Sequence, residues 1–329
     1  MTPHRNILFD LIRVVAAIAI ATYHFLLFES PKEKLFPALT SDQPFFDWLK
    51  TSVLFFFILT AIVIPMHLAN NRYTLRDYPV FFVKRLMRIH YPFLIVVGLT
   101  VATSIFFLFK NNLPISFDLP QLIGNITLTA EFMHVPWYNT IFWTLAIEMQ
   151  FYILIGFIFP FLQRFEWKAL IVLFISGELL HFFINDSRLV WFYTPYFCLG
   201  LVFYLYIGKK ITKPFLLGVI IACICSTAFF HEFISLWVIV VFSAFMLLVK
   251  HLSSIWSYFA QLTYSFYLIH GLIGGHFLYF THAWGNTFPM AIVRFILALG
   301  SSVVAAWIFY HLVEKRSIKW MLLVRYRKN

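Results

Sequence analysis

The sequence predicts an all-α, polytopic membrane bundle of about ten transmembrane helices with both termini in the cytoplasm. Two observations carry that class. Of the 329 residues, 61% are hydrophobic and only 12% charged, against roughly 45–50% and 25% in soluble domains. The apolar residues also gather in runs of membrane length, about 20 residues each, bounded by charges, proline or asparagine. A soluble globule is thereby excluded. Ten such runs leave roughly 130 residues for loops and tails, so we expect a single transmembrane domain over 1–329, ending in a basic cytoplasmic tail at 314–329. Strands are not expected, because an open sheet cannot satisfy its backbone in lipid and no barrel alternation is present.

The first span, 7–28, begins like a leader peptide, but its apolar run is longer than a leader's and no small-x-small exit precedes Glu29, so it reads as uncleaved. Further spans follow at 51–68, 89–109, 140–162, 168–184, 189–208, 214–230, 233–249, 255–280 and 289–313. The pair 214–230 and 233–249 requires a two-residue turn at His231-Glu232. The 25 Lys and Arg against 14 Asp and Glu give a net charge of +11. In a membrane protein such an excess records topology, because basic loops stay cytoplasmic, and no nucleic-acid partner is expected. With both ends inside, 18 of the 25 basic residues are cytoplasmic and six are outer. Cys198, Cys223 and Cys225 lie in apolar stretches, and the close pair is too tight for C-x-x-C, so neither a disulfide nor a metal site is expected. The longest polar insert, 110–139, carries Asp118, Glu131, His134, Trp137 and Tyr138. At that length it reads either as an acceptor-binding lid or as a plain surface loop.

Ionisable groups at membrane depth cost roughly 2.5–3.5 kcal/mol each and so mark function or a buried pair. Span one holds Asp10, Arg13 and His24. Arg13 and His24 are eleven residues apart, about 20° from eclipsed and about 16 Å apart along the axis. Asp10 is near enough to pair with Arg13, which is the structural alternative for that arginine; for His24 the alternative is an interfacial imidazole bonded to a neighbouring helix. Ala16, Ala17 and Ala21 keep the face small. In span four, the run Trp143 to Tyr152 places Glu148 about two turns below the outer surface, a depth compatible with contact to His24. A carboxylate beside an imidazole can orient it as general-base chemistry requires; an interhelical clamp is the alternative. His270 in span nine, within Tyr264 to His270, is either a substrate contact or a packing hydrogen bond. Asp10, Trp143 and Tyr267 are further candidates for substrate contact. Arg85 and Arg88 share one helix face near a helix N-terminus, placed for phosphate or as a topology anchor beside lipid headgroups. Glu178 and His181 read as structural.

Taken together these segments resemble the bacterial membrane-bound acyltransferase family three, which O-acylates surface polysaccharides and other extracytoplasmic glycans. The likeness rests on Phe9-Asp10-Leu11-Ile12-Arg13 with the R-x10-H pair ending at His24, on Phe55 to Ala61, on Arg85 and Arg88, on the Trp143 to Tyr152 run, on Tyr264 to His270 and on Tyr310 to Lys315. The resemblance implies transfer of an acyl group, usually acetyl from acetyl-CoA, to a sugar hydroxyl at the bacterial inner membrane. It implies that His24 is catalytic and that Arg13, Arg85 and Arg88 serve the acyl donor. Members usually carry Ser-Gly where this chain has Thr60-Ala61, and proline where Arg316 stands.

From this we expect CoA phosphates at Arg13, Arg85 and Arg88, with an extended arm of order 20 Å spanning the roughly 16 Å to His24. His24, oriented by Glu148, would take the acceptor hydroxyl's proton, or would itself carry the acetyl group. The expected partners are acyl-CoA, a glycan or lipid-linked saccharide, and membrane lipids; no cofactor is bound permanently. The rival classes are a transporter or flippase of a lipid-linked sugar and an acyltransferase with a succinyl or longer donor or a non-glycan acceptor.

Overall fold

The apolar runs of the sequence become helices that turn their hydrophobic faces outward. The computed structural model describes residues 6–27, 29–30, 33–35, 45–114, 118–231, 233–249, 252–285 and 287–326. Arg5, Lys32, Lys250, Arg327 and Lys328 of the charge count, and Glu232 of the expected turn, lie outside the described residues. The helices are α1 (Ile7–Leu26), α2 (Phe45–Thr51), α3 (Leu54–Asn70), α4 (Tyr78–Arg85), α5 (Tyr91–Lys110), α6 (Leu119–Ile126), α7 (Phe142–Phe165), α8 (Trp167–Phe183), α9 (Thr194–Ile207), α10 (Lys213–Phe230), α11 (Leu236–Leu248), α12 (Ile255–Ala260), α13 (Thr263–Phe280), α14 (Phe288–Phe309) and α15 (Lys315–Leu323). Among the described residues the other regular pairing is a two-residue ladder, Glu29–Ser30 against Glu33–Lys34.

Seven helical runs are long and apolar enough to cross a membrane: α1, Trp48–Asn70, Leu75–Lys110, α7, Val190–Ile207, α10 and Phe288–Leu323. The other three expected spans are helical but shorter or broken. They are α8 with 17 residues, α11 with 13, and the α12–α13 pair interrupted at Gln261 and Leu262. The helices on either side of His231 are separate, that residue being extended.

The burial pattern is inverted relative to a soluble protein. Val172, Phe183, Phe229 and Val304 are at least three-fifths exposed, whereas Asp10, Arg85, His270, Arg294 and Glu314 are buried. Arg294, counted from sequence among the charges outside or at outer helix ends, is buried near the start of α14. It donates to the Leu278 carbonyl (2.8 Å), the Thr281 hydroxyl (3.2 Å) and the Gly285 carbonyl (3.3 Å), satisfying the end of α13.

At the centre α9 crosses α3. A Cβ on Gly200 would stand 2.3 Å from the Ile58 carbonyl oxygen and 2.5 Å from the Ala61 Cβ, so only glycine permits this approach. The close approach at Ala61 is thus made possible by a glycine on the facing helix. On α1 the buried Ala16, Ala17 and Ala21 form the expected small face, which packs against α12 and α13.

Two helices run on past their expected ends. Leu75–Lys110 and Phe288–Leu323 each contain one π-turn, at Leu86–His90 and Tyr310–Glu314. Pro92 accounts for the first, because it has no N–H to offer the Arg88 carbonyl and its ring crowds that oxygen. Carbonyls of the widened turn are met by side chains: the Tyr264 hydroxyl donates to Ile89 (2.6 Å) and the Ser317 hydroxyl to Met87. The two π-turns thus become neighbours at one end of the bundle.

Candidate active site

A cavity of about 680 Å³ opens at that end, within the size range of small-molecule sites. Asn6, the first described residue, and Ile318 of α15 both line it, so the two terminal segments lie beside one cavity. Its wall is largely apolar, including Phe56, Phe57, Val63 and Leu145. Into it project Asp10, Arg13, Arg85, Arg88, Glu148 and Tyr267, all singled out from sequence, and His24, Trp143 and His270 do not line it.

The three arginines are held differently. Arg13 meets Asp10 at 3.5 Å, and Asp10 also accepts from the Ser257 hydroxyl at 2.7 Å, tying α1 to α12. Asp10, proposed from sequence as a substrate contact, is thus a buried anchor of Arg13. Arg88 approaches Glu314 at 3.9 Å, joining the two π-turns, and Glu314 accepts from Ser265 at 2.6 Å. The Arg13 and Arg88 side chains remain 30% and 37% exposed. Arg85 is buried over the rings of Phe81 (5.5 Å) and Tyr152 (5.8 Å). Among the described residues it forms no ion pair within 4.0 Å, and its Nε has no hydrogen-bond partner. A guanidinium so placed retains donors for an anion.

Glu148 does not stand beside His24. Its Oε1 accepts from the Thr60 hydroxyl (2.8 Å) and from the Tyr152 hydroxyl, so it bridges α7 to α3 on the arginine side of the cavity. Thr60 supplies the hydroxyl that serine supplies in the family pattern. The expectation that Glu148 orients His24 is corrected accordingly: the side chain faces α3 and stands on the arginine side of Thr144 and Tyr267, whereas His24 lies beyond them. Trp143 packs on Phe57 (6.4 Å between ring centres) and Tyr193 (6.0 Å) and does not line this cavity.

The deep end is closed by a hydroxyl pair. Tyr267 and Thr144 stand 2.5 Å apart with the Ile141 carbonyl 3.1 and 3.0 Å away, so their two O–H groups are shared between each other and that carbonyl. His270 lies beyond, its ring 6.0 Å from that of Tyr267, and the His24 ring follows at 5.4 Å. Arg13 and His24 occupy the two levels of α1 expected from their spacing, one inside the cavity and one past its end. Sequence reasoning gave no role to Tyr152, Glu314, Ser257 or Ser265. Tyr152 was signalled by its i+4 spacing from Glu148, and Glu314 by being a carboxylate at a span end; the two serines carried no signal.

The insert at 110–139 is folded rather than open. Asp118 caps α6, Asn125 is fully buried and accepts from the Tyr138 amide (2.8 Å), and Trp137 donates to Glu131 (2.9 Å); residues 115–117 lie outside the described set. Among the described residues no His, Cys, Asp and Glu group is arranged to hold a metal ion.

A family model described as an acyltransferase domain matches residues 6–311. No curated protein and no solved structure matches the chain. Because the match spans α1 through α14, the scaffold that carries the arginines, Glu148 and His24, the chain belongs to membrane-bound acyltransferase family three.

Proposed function

We propose that this membrane acyltransferase moves an acyl group, acetyl by preference, from cytoplasmic acyl-CoA to a hydroxyl of an extracytoplasmic or lipid-linked glycan. The observation that carries the reading is the cavity: cationic at the mouth, apolar along its length, and ending one side chain short of the His24–His270 pair. The phosphates of CoA meet Arg85 first, with Arg13 and Arg88 beside it, and the pantetheine arm lies along Phe56, Val63 and Leu145. The two terminal segments beside one cavity favour an even number of crossings, and the basic tail favours the cytoplasm for that side. Ten crossings of a bacterial inner membrane satisfy both.

In the reaction, one ring nitrogen of His24 takes the proton of the acceptor hydroxyl as its oxygen attacks the thioester carbonyl. The carbon–sulfur bond then breaks, and the CoA thiolate recovers the proton from the imidazolium. The Thr144–Tyr267 pair must part for the thioester to reach His24. The test is CoA release from acetyl-CoA by membranes containing the protein, with mass spectrometry of cell-surface glycan from cells with and without it. Release that depends on His24, with an acetyl mass increment on glycan, supports the reading. No release, or an unmodified glycan, refutes it.

A further inference from the structure

His270 is the buried polar group that the reaction above leaves unused. Its Nδ1 faces two backbone carbonyls, Tyr267 at 2.8 Å and Phe266 at 3.2 Å. Carbonyls only accept, so Nδ1 carries the proton and Nε2 of the neutral ring presents a bare lone pair. That Nε2 is buried and has no hydrogen-bond partner, an arrangement that native structures rarely keep without a use. The rings around His270 are Phe25, Phe266, Tyr267 and His24. The phenylalanines have no donor, and the Tyr267 hydroxyl is committed to Thr144 and Ile141. His24 alone among these rings offers an N–H. In the structure the two nitrogens do not yet meet, since Nε2 has no partner; with ring centres 5.4 Å apart, a turn of the His24 ring that brings one of its nitrogens to face Nε2 would leave them about 3 Å apart, within hydrogen-bond range.

We infer that His270 is the positioning residue for His24: its Nε2 accepts the His24 N–H, fixing the tautomer whose other nitrogen faces the acceptor hydroxyl. The inference rests on His24 being the base and assigns to His270 the task that the sequence assigned to Glu148. A neutral imidazole suits this depth, since a carboxylate there would have to be held charged away from water. When His24 takes the acceptor's proton, the positive ring keeps its hydrogen bond to His270, and no further group needs to change charge.

The test compares variants that keep one His270 nitrogen at a time, with acetyl-CoA as the probe and CoA release by membranes as the readout. His270→Gln keeps an acceptor near the Nε2 position, whereas His270→Asn keeps a donor toward the Tyr267 carbonyl and has nothing at Nε2. We expect His270→Asn and His270→Leu to lower kcat about 100-fold, with KM for acetyl-CoA and membrane content unchanged. His270→Gln is expected to stay within about tenfold of the parent. Adding His270→Leu to His24→Ala should cost nothing more. Equal activity of the Gln and Asn variants, or parental kcat in His270→Leu with His24→Ala inactive, overturns the role of His270 and leaves His24 as base. Turnover retained by His24→Ala instead overturns the reading on which it rests. If His270→Leu fails to accumulate, the Gln–Asn comparison decides alone.

Discussion

Replacing Gly200 by alanine tests whether the α3–α9 crossing holds the cavity in register. The new Cβ would lie 2.3 Å from the Ile58 carbonyl oxygen and 2.5 Å from the Ala61 Cβ, about 1 Å inside ordinary contact on two sides. Both obstacles belong to helix α3 itself rather than to the end of a flexible side chain. The helices must therefore separate by about that amount, at a cost of about 1–3 kcal/mol. Thr60, next to Ala61, holds Glu148 through a 2.8 Å hydrogen bond, which a 1 Å displacement carries out of range. We expect a Tm lower by about 2–4 °C per kcal/mol lost, and CoA release reduced about 100-fold through misplacement of the wall. Adding Ala61→Gly removes one of the two obstacles and should recover part of both losses. The assays are thermal unfolding of the purified protein and acetyl-CoA turnover by membranes. An unchanged Tm and turnover in Gly200→Ala, or no gain from Ala61→Gly, refutes the reasoning.

Arg85→Ala should raise the KM for acetyl-CoA about 10–100-fold, the worth of a charge-assisted hydrogen bond or slightly less, with little change in Tm because no paired carboxylate is stranded. Arg88→Ala should raise KM and also cost about 1–2 kcal/mol of stability, since Glu314 loses its cation but keeps Ser265; equal Tm values for the two variants would contradict this. His24→Ala should lower turnover at least 100-fold, whereas Glu148→Gln, still able to accept from Thr60 and Tyr152, should remain within about tenfold. The opposite ranking, read from initial rates, would return Glu148 to the side of His24. Between α8 and α9, hydrogen bonds from Arg188 hold the Asp186 carboxyl below its usual range. A depressed folded pKa contributes stability above the ordinary carboxylate value near about 4 and loses it as pH falls through the folded value. The hydrogen-exchange protection over 186–190, taken relative to the intrinsic exchange rate at each pH, should therefore fall on acidification, and in Asp186→Asn it should already be low at neutral pH and change little with acid.

The helices were legible because apolar run length survives without knowledge of neighbours: each expected span coincides with a helix except 255–280, which is divided between α12 and α13. Depth along a helix was legible too, as with Arg13 inside the cavity and His24 past it on one continuous α1. The direction a side chain takes around its helix was not. Glu148 and Trp143 were assigned from their level in α7, but which neighbour each faces depends on how α3 and α9 dock, and that is set by Gly200, a residue with no motif of its own. The π-turns were hidden for a related reason. One extra residue per turn changes hydrogen-bond register without changing composition, and of the two only Leu86–His90 has a proline beside it as a cue. The ion pair between Arg88 and Glu314 joins groups 226 positions apart in the chain, a proximity that spacing rules within one helix cannot reach.

Two hydroxyls, on Tyr267 and Thr144, meet where the cavity stops. A membrane that stores energy as an ion gradient would be drained by a standing aqueous pore through each copy of an enzyme in it. On the proposed function, side chains locked except while a donor arm parts them would let a chemical group pass the insulator without making it conductive.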